Sequence, residues 1–340
     1  MFLDSASDRS SVVSSAKSLG YIPSSAVSSH IYVDLESHIA KKVGEVPPTA
    51  NSFITLNPYA TFTTSVNETS FNFITTDANN LYYESDGGNY WVYTKNNVKI
   101  SEGTTLYNYF KVQNNYEEYV IPNANIDISS LVVRVYDNET SLTYTPYTRC
   151  DYMINSIDGN STVYWIYEGV DGKYYLQFGN GVFGKQLTIG NIIYVQYVKT
   201  NGSYANGAKT FSPGNYSYSN TSIIDYNQAI LVSPSNYSIL SLDNSTSLFS
   251  TDSLVVGGSS SANGYVYSFD ANTQILQLYS TNGTFLFNET ITEQSIVGAN
   301  TVYGASGTVI SIKNESSTTS GGSDIESIES IKSVSYTHLR

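Results

Sequence analysis

The chain has 340 residues, 16 Lys and Arg against 29 Asp and Glu, a formal net charge of −13 and 31 tyrosines. That length suits one large or two to three ordinary domains. An acidic chain without a basic stripe repels phosphate backbones, so direct nucleic-acid binding is not expected.

Only 13% of the residues are charged, and Ser, Thr, Asn, Tyr and Gly dominate. This composition fits polar-faced β-sheet and turns, with too many aromatic and aliphatic residues for disorder. The fold class expected is mainly β, with a minor N-terminal helix. Met1-Phe-Leu-Asp-Ser5 lacks the basic start and long apolar core of a signal peptide. No run approaches the ~18 apolar residues of a membrane span. The expectation is a product kept inside the cell, or a particle assembled there. Cys150 is the single cysteine, which excludes an internal disulfide and a cysteine zinc framework.

Residues 8–19 are the one good helix candidate. Asp8 can cap it, Val12, Val13, Ala16 and Leu19 fall near helical spacing, Gly20 can end it, and Pro23 follows as a stop. Residues 29–36 alternate Ile31, Val33 and Leu35 against His30, Tyr32 and Asp34, the period of a strand. Residues 41–51, with Pro47-Pro48, read as a linker that closes an N-terminal segment over 1–50. From 51 to 212 strand runs recur at 71–75, 90–94, 106–112, 131–136 and 163–167. Turn signals separate them at Asp86-Gly87-Gly88, Asp137-Asn138, Asp158-Gly159 and Asp171-Gly172. The spacing predicts one sandwich-like or composite β core.

The most informative stretch begins Tyr174-Tyr-Leu-Gln-Phe-Gly-Asn-Gly-Val-Phe-Gly-Lys185 and continues to Tyr197. Residues 174–178 and 191–198 read as two strands, the second with Ile193, Val195 and Tyr197 on one face. Between them Gly179, Gly181, Gly184 and Gly190 set the backbone, and Asn180-Gly181 is a turn dipeptide. A glycine-rich loop can also cradle phosphate, but that chemistry needs a helix N-terminus and a Lys-Ser/Thr pair. Here Gly184-Lys185 is followed by Gln186 and a strand. Phe178, Gly179, Asn180, Gly181, Gly184 and Lys185 are therefore read as a structural turn.

Residues 213–227 change texture, rich in Ser, Tyr and Asn. Residues 230–312 then look like a separate small β-module, centred on Val256-Gly-Gly-Ser-Ser-Ser-Ala-Asn-Gly-Tyr-Val-Tyr-Ser-Phe269, residues 275–279 and residues 283–291. Residues 316–323 read as a flexible Ser/Thr/Gly linker. The tail Val334-Ser-Tyr-Thr-His-Leu-Arg340 looks like translated sequencing adapter. On that reading residues 334–340 are artefact, the chain is a truncated gene product, and 319–333 open a C-terminal domain that is cut short.

The 174–185 stretch, followed by a strand and then by Thr200-Asn-Gly-Ser-Tyr-Ala-Asn206-Gly207-Ala, resembles the signature of the baseplate J-like proteins, wedge subunits of contractile tails in T4-like phages. Ser10-Ser-Val-Val-Ser-Ser-Ala-Lys-Ser-Leu-Gly-Tyr-Ile-Pro23 is similar to the family's N-terminal helix and its exit. Residues 100–110 and Tyr119-Val-Ile-Pro122 look like the middle of the same domain. Gly321-Gly-Ser-Asp-Ile-Glu-Ser-Ile-Glu-Ser-Ile-Lys332 resembles the start of the next family segment. The resemblance covers about 8–212 and 319–332, so residues 213–318 are expected to be an insertion, similar to small β-modules in virion proteins of T4-like marine phages. It implies a virion structural protein, assembled in the host cytoplasm. Its partners would be other baseplate wedge proteins and copies of itself, and it would have no small-molecule substrate.

The residues nominate no catalytic, cofactor or metal site. The histidines are His30, His38 and His338, and no His-Glu-x-x-His pattern links them. Cys150 has no neighbouring histidine, and no Gly-x-Ser-x-Gly elbow occurs. Glu117-Glu118 could suggest a glycosidase pair, but adjacent strand residues point to opposite faces. Residues 156–165 resemble the aspartate box of sialidases, with the glycine one position early and no second copy. No enzyme is expected. The alternative reading is a carbohydrate- or host-surface-binding tail-fibre or adhesin module, because surface tyrosine gives large contact area at low entropy cost.

Overall fold

The computed structural model describes residues 7–18, 21, 23–114, 117–150, 157–169, 172–219, 229–297, 300–316 and 318–338. The expected helix end at Leu19-Gly20, Ser156, Asp171, the 220–227 part of the Ser/Tyr/Asn stretch and Leu339-Arg340 lie outside the described residues. In chain order the elements are α1 (Arg9–Ser18), β1 (His30–Ala40), β2 (Phe53–Leu56), β3 (Thr61–Val66), β4 (Thr69–Ile74), β5 (Asn79–Asp86), β6 (Tyr90–Glu102) and β7 (Thr104–Lys111). There follow β8 (Tyr119–Ile121), β9 (Ile126–Tyr136), β10 (Tyr144–Arg149), β11 (Val163–Glu168), β12 (Tyr174–Phe178), β13 (Ile192–Lys199), β14 (Ser212–Pro213) and β15 (Tyr218–Ser219). The last are β16 (Ala229–Pro234), β17 (Asn236–Asp243), β18 (Leu254–Gly257), β19 (Asn263–Asp270), β20 (Ile275–Asn282), β21 (Thr290–Val297), β22 (Asn300–Ser316) and α2 (Ile328–His338). The chain is mainly β, as its composition predicts.

Two units are built from interleaved pieces of chain. One gathers Met1–Ser29, Glu102–Asn206 and Gly321–Arg340, the other His30–Ser101 and Gly207–Ser320. In the first, seven strands run in the order β7-β13-β9-β10-β11-β12-β8, antiparallel except for the β10–β11 pair. Ile193, Val195 and Tyr197 of β13 are buried with Ile121, Ile126, Val133, Leu176 and others, so the predicted face of that strand is the core face. Helices α1 and α2 bury Val12, Val13 and Ala16 against Ile331. Helix α2 runs from Ile328 to His338 without a break, so residues 328–333 and 334–338, set apart in the sequence, share one helix.

The second unit holds a nine-stranded sheet and a closed barrel. β1 pairs with β6 on one side and β16 on the other, both antiparallel. Its exposure alternates along the whole strand, with Ile31, Val33, Leu35 and Ile39 buried, as the two-residue period requires. β6 is far longer than the predicted 90–94. It crosses its polar run Lys95-Asn96-Asn97 through a bulge: Lys95 pairs with Leu35 and Val98 with Val33, while Asn97, at φ 56°, donates its N–H to Asp34 Oδ1 at 2.9 Å.

These pairings redraw the expected domains. The 51–212 stretch does not form one core: it divides at Glu102, where β6 gives way to β7. The N-terminal 1–50 segment divides as well, α1 falling in one unit and β1 in the other. Of the expected 213–318 insertion, β14, β15 and β16 join the nine-stranded sheet. The barrel itself is Asn236–Ser316, ordered β17-β20-β19-β18-β21-β22 and back to β17. Leu240, Val255, Val266, Leu276, Leu278, Ile291 and Val309 fill it. Residues 283–289 are a loop rather than strand, and Phe285 from that loop is buried in the barrel core.

Candidate functional site

The motif residues form a tight backbone structure at the end of β12. The Asn180 N–H donates to the Phe183 carbonyl at 3.3 Å and the Gly181 N–H to the Gly184 carbonyl at 3.0 Å. Asn180 Oδ1 accepts from the N–H groups of Val182 (3.0 Å) and Phe183 (2.9 Å), an Asx turn. The Gly184 N–H donates to the Asp158 carbonyl at 2.9 Å and the Lys185 N–H to the Ser161 carbonyl at 2.7 Å. All six successive N–H groups of residues 180–185 are thus engaged within the protein, so none is left to cradle an anion. Gly181 and Gly184 have φ of 85° and 76°, a region L side chains rarely adopt. A Cβ on Gly179 would lie 2.1 Å from the Gly184 carbonyl carbon.

The aspartate-box-like turn is part of this brace. The Asp158 carboxylate accepts from the Asn160 N–H at 2.9 Å and the Ser161 hydroxyl at 2.8 Å, which holds its pKa below the usual carboxylate range, the Ser161 hydroxyl contributing most. Phe178 sits inside, its ring 5.5 Å from Tyr147 and 5.9 Å from Tyr119. Val182, Phe183 and Lys185 at the tip are exposed.

A second polar knot lies at 200–206. Glu102, almost completely buried, accepts from Thr200 Oγ1 at 2.7 Å, Asn201 N–H at 2.9 Å and Asn201 Nδ2 at 2.7 Å. The Asn206 side chain clasps the Gly322 backbone, donating from Nδ2 to its carbonyl at 3.0 Å and accepting its N–H on Oδ1 at 3.1 Å. The Ser29 hydroxyl lies 2.8 Å from the same Oδ1 and 2.9 Å from the Gly202 carbonyl, one proton serving both. Asp324 takes the Ser203 N–H and hydroxyl, each at 3.1 Å. The Gly207 N–H donates to the Thr319 carbonyl at 2.9 Å within its own unit. Nearby in the first unit, Arg9 forks onto the buried Glu168 carboxylate at 2.7 and 3.0 Å, and Tyr21 donates to Glu326.

Sequence reasoning picked Asn206 and Gly207 by resemblance but gave Glu102 no role. The local signal for it is slight, an acidic residue before a glycine, because its partners Thr200 and Asn201 lie about a hundred residues later. The loop at 178–185 and the knot at 200–206 are separate structures, and nothing in them converges on a reacting atom.

The remaining chemical groups stand apart. His38 stacks on Tyr90 at 4.0 Å, and His30 meets Tyr32 edge-on at 6.3 Å, at opposite ends of β1. Cys150 is half-buried. Glu117 and Glu118 precede β8 rather than alternating on a strand, and each faces a different tyrosine. Burial, reinforced by Glu117, pushes Tyr119 up to about 12, and burial with Glu118 likewise raises Tyr167. Among the described residues no three His, Cys, Asp or Glu side chains cluster to hold a metal. No helix among them is long and apolar enough to cross a membrane.

Among the described residues, the outer face of β7, β13, β9 and β10 is a broad surface with binding character. Tyr107 and Tyr109 project from β7, their rings 6.3 and 5.1 Å from Tyr194. Arg134 lies 4.9 Å over Tyr144 and 5.5 Å over Tyr194, and Tyr136 packs on Tyr144 at 5.6 Å. Grooves of about 550 and 510 Å³ flank this face. No family model matches the chain, and no curated protein matches it.

Proposed function

We propose that the chain is a structural subunit of a contractile phage tail baseplate wedge, located in the virion after assembly in the host cytoplasm. Its work is mechanical: it joins neighbouring wedge proteins and copies of itself into a ring around the hub, and it rearranges on contraction. One observation carries this reading. The family-like segments 10–23, 100–110, 119–122, 174–197, 200–208 and 321–332 are scattered along the chain, yet all but residues 100–101 and 207–208 fall in one unit. There the knot at 200–206 bonds directly to Gly322 and Asp324 of the last segment. Residues 30–101 and 207–320 form the other unit, which holds the expected 213–318 insertion together with part of the 8–212 span.

The motif residues act as braces on this reading. A rigid frame with its loop amides internally bonded and an aromatic outer face suits docking rather than turnover. The test is reconstitution. Mixed at micromolar concentration with the wedge proteins encoded beside its gene, the chain is expected to enter a stable complex on size exclusion. A chain that stays monomeric with every one of them overturns the proposal.

A second reading, a glycan- or host-surface-binding module, draws on the barrel's exposed aromatics, Phe287 at 72% and Tyr303 at 67% exposure. Saturable binding on a glycan array that is lost on replacing both by Ser would favour it.

A further inference from the structure

β7 is an open sheet edge of a kind that folded chains usually blunt. It pairs with β13 over all eight residues, and among the described residues nothing pairs with its other side. The other edges are guarded. β8, at the far side of the same sheet, is three residues long and followed by Pro122. β14 and β15 have two residues each, β16 ends at Pro234, and the barrel closes on itself. β7 has no proline and no carboxylate, and its single charge, Lys111, stands at its end. Its outer-face residues Tyr107 and Tyr109 are 59% and 66% exposed. On the inner face, Leu106 and Phe110 pack on the core but stay only partly buried at its open rim.

We infer that β7 is a self-association edge, pairing antiparallel with β7 of a second copy of this chain about a two-fold axis at Asn108. The register follows from the side chains. Opposed residues in an antiparallel pair share a face, so a two-fold must pass through a residue position. Centred on Tyr107, it sets Leu106 against Asn108; centred on Tyr109, it sets Phe110 against Asn108. Centred on Asn108, it sets Leu106 against Phe110, Tyr107 against Tyr109 and Thr105 against Lys111, with Asn108 facing itself. Of these three central registers only this one meets apolar with apolar on the inner face, and it brings aromatic cross-strand pairs together and opposes no like charges. It also covers the rim of the core from both sides and satisfies the free backbone groups of both edges. The contact is isologous, so it closes at two copies rather than growing into a fibre.

The inference stands on the sheet edge alone and survives failure of the wedge reading. The test uses the full chain carrying Cys150→Ser. Tyr107→Cys chains and Tyr109→Cys chains are oxidised separately and as a mixture. The pairing is expected to give covalent dimer in the mixture and little in either sample alone, because the two positions oppose each other across the axis. Sedimentation of the unmodified chain is expected to show reversible dimer in the micromolar range. Tyr107→Lys with Tyr109→Lys, which opposes lysine to lysine at exposed sites, should weaken it at least about tenfold. An unmodified chain that stays monomeric at those concentrations, or single-cysteine samples that cross-link as well as the mixture, overturns the inference.

Discussion

Glu102 holds three donors from two consecutive residues, and it does so out of water. Truncation leaves the buried Thr200 hydroxyl and the Asn201 groups without an acceptor, and each buried orphan costs about 1–3 kcal/mol. Glu102→Ala is therefore expected to lower the urea unfolding free energy by roughly 2–4 kcal/mol, while Glu45→Ala, on the exposed 41–51 segment, changes it by less than about 0.5. Equal effects of the two would mean that Glu102 does not anchor the knot. The barrel uses carboxylates in the same way. Burial works to raise the pKa of Glu289, but the N–H groups of Leu286, Ser260 and Ser259 and the Ser260 hydroxyl outweigh it and hold the carboxyl below its usual range. Glu293 is likewise held down, burial being outweighed by Ser253, Ser250 and the Ala305 N–H. A depressed folded pKa means the unfolded chain binds the proton more readily. The stability these groups contribute is therefore fully present above the unfolded value of about 4.3 and is lost as pH falls through the folded values. Barrel melting temperature should stay level from neutral pH down to about 5 and fall below it, and Glu289→Gln with Glu293→Gln should flatten that fall.

Strand and turn chemistry explains why so much of the element list was legible. β12 falls at the predicted 174–178, and β13 differs from 191–198 by one residue at each end, because glycine turns bound short aromatic runs. β6 reads short in the sequence because Lys95-Asn96-Asn97 has no strand propensity of its own, and its partner β1 lies some sixty residues earlier. The loop between β12 and β13 reads in the sequence as a turn, since glycines set it and no helix follows it. Its tightness was not legible, because that depends on the 158–161 turn, whose contacts are non-local. Gly179 is the sharpest case: a methyl group there meets the Gly184 backbone, which no side-chain rotation relieves. Gly179→Ala should destabilise the first unit by on the order of 2–4 kcal/mol and should open the loop, with rapid tryptic cleavage after the exposed Lys185. A variant that melts and resists trypsin like the parent would show that the backbone yields freely there.

The interleaving of the two units was the least legible feature. Local patterns carry no record that residue 29 and residue 321 belong together, or that β1 pairs with β16 nearly two hundred residues later. The small module was legible as a change of texture, but its boundary depends on pairing: β16 completes the sheet beside β1, and the barrel begins only after Ser235. There the first and last barrel strands meet, Asn236 opposite Ser316, so the chain leaves and returns at one point. Thr319 and Ser320 then bond back to Ala208 and His30. Within this unit the barrel touches the sheet through modest contacts: Tyr237 to Asn97 at 3.2 Å, Ser280 to Asp34 at 3.4 Å, and Tyr32 against the Tyr267 ring at 6.0 Å. Partly exposed hydrogen bonds of this sort contribute about 1 kcal/mol or less each. Inside the barrel, by contrast, a dozen apolar side chains are buried in a sheet without edges, and each large one contributes about 1.5–3 kcal/mol. Replacing residues 236–316 by a short Gly-Ser bridge should therefore leave the remaining chain cooperatively folded, with its melting temperature lowered by only a few degrees. Residues 235–317 expressed alone should give a β-type circular dichroism spectrum and a single unfolding transition. If the excised chain collapses into aggregate while the isolated barrel fails to fold, the sheet and barrel form one cooperative core and the module is no insertion.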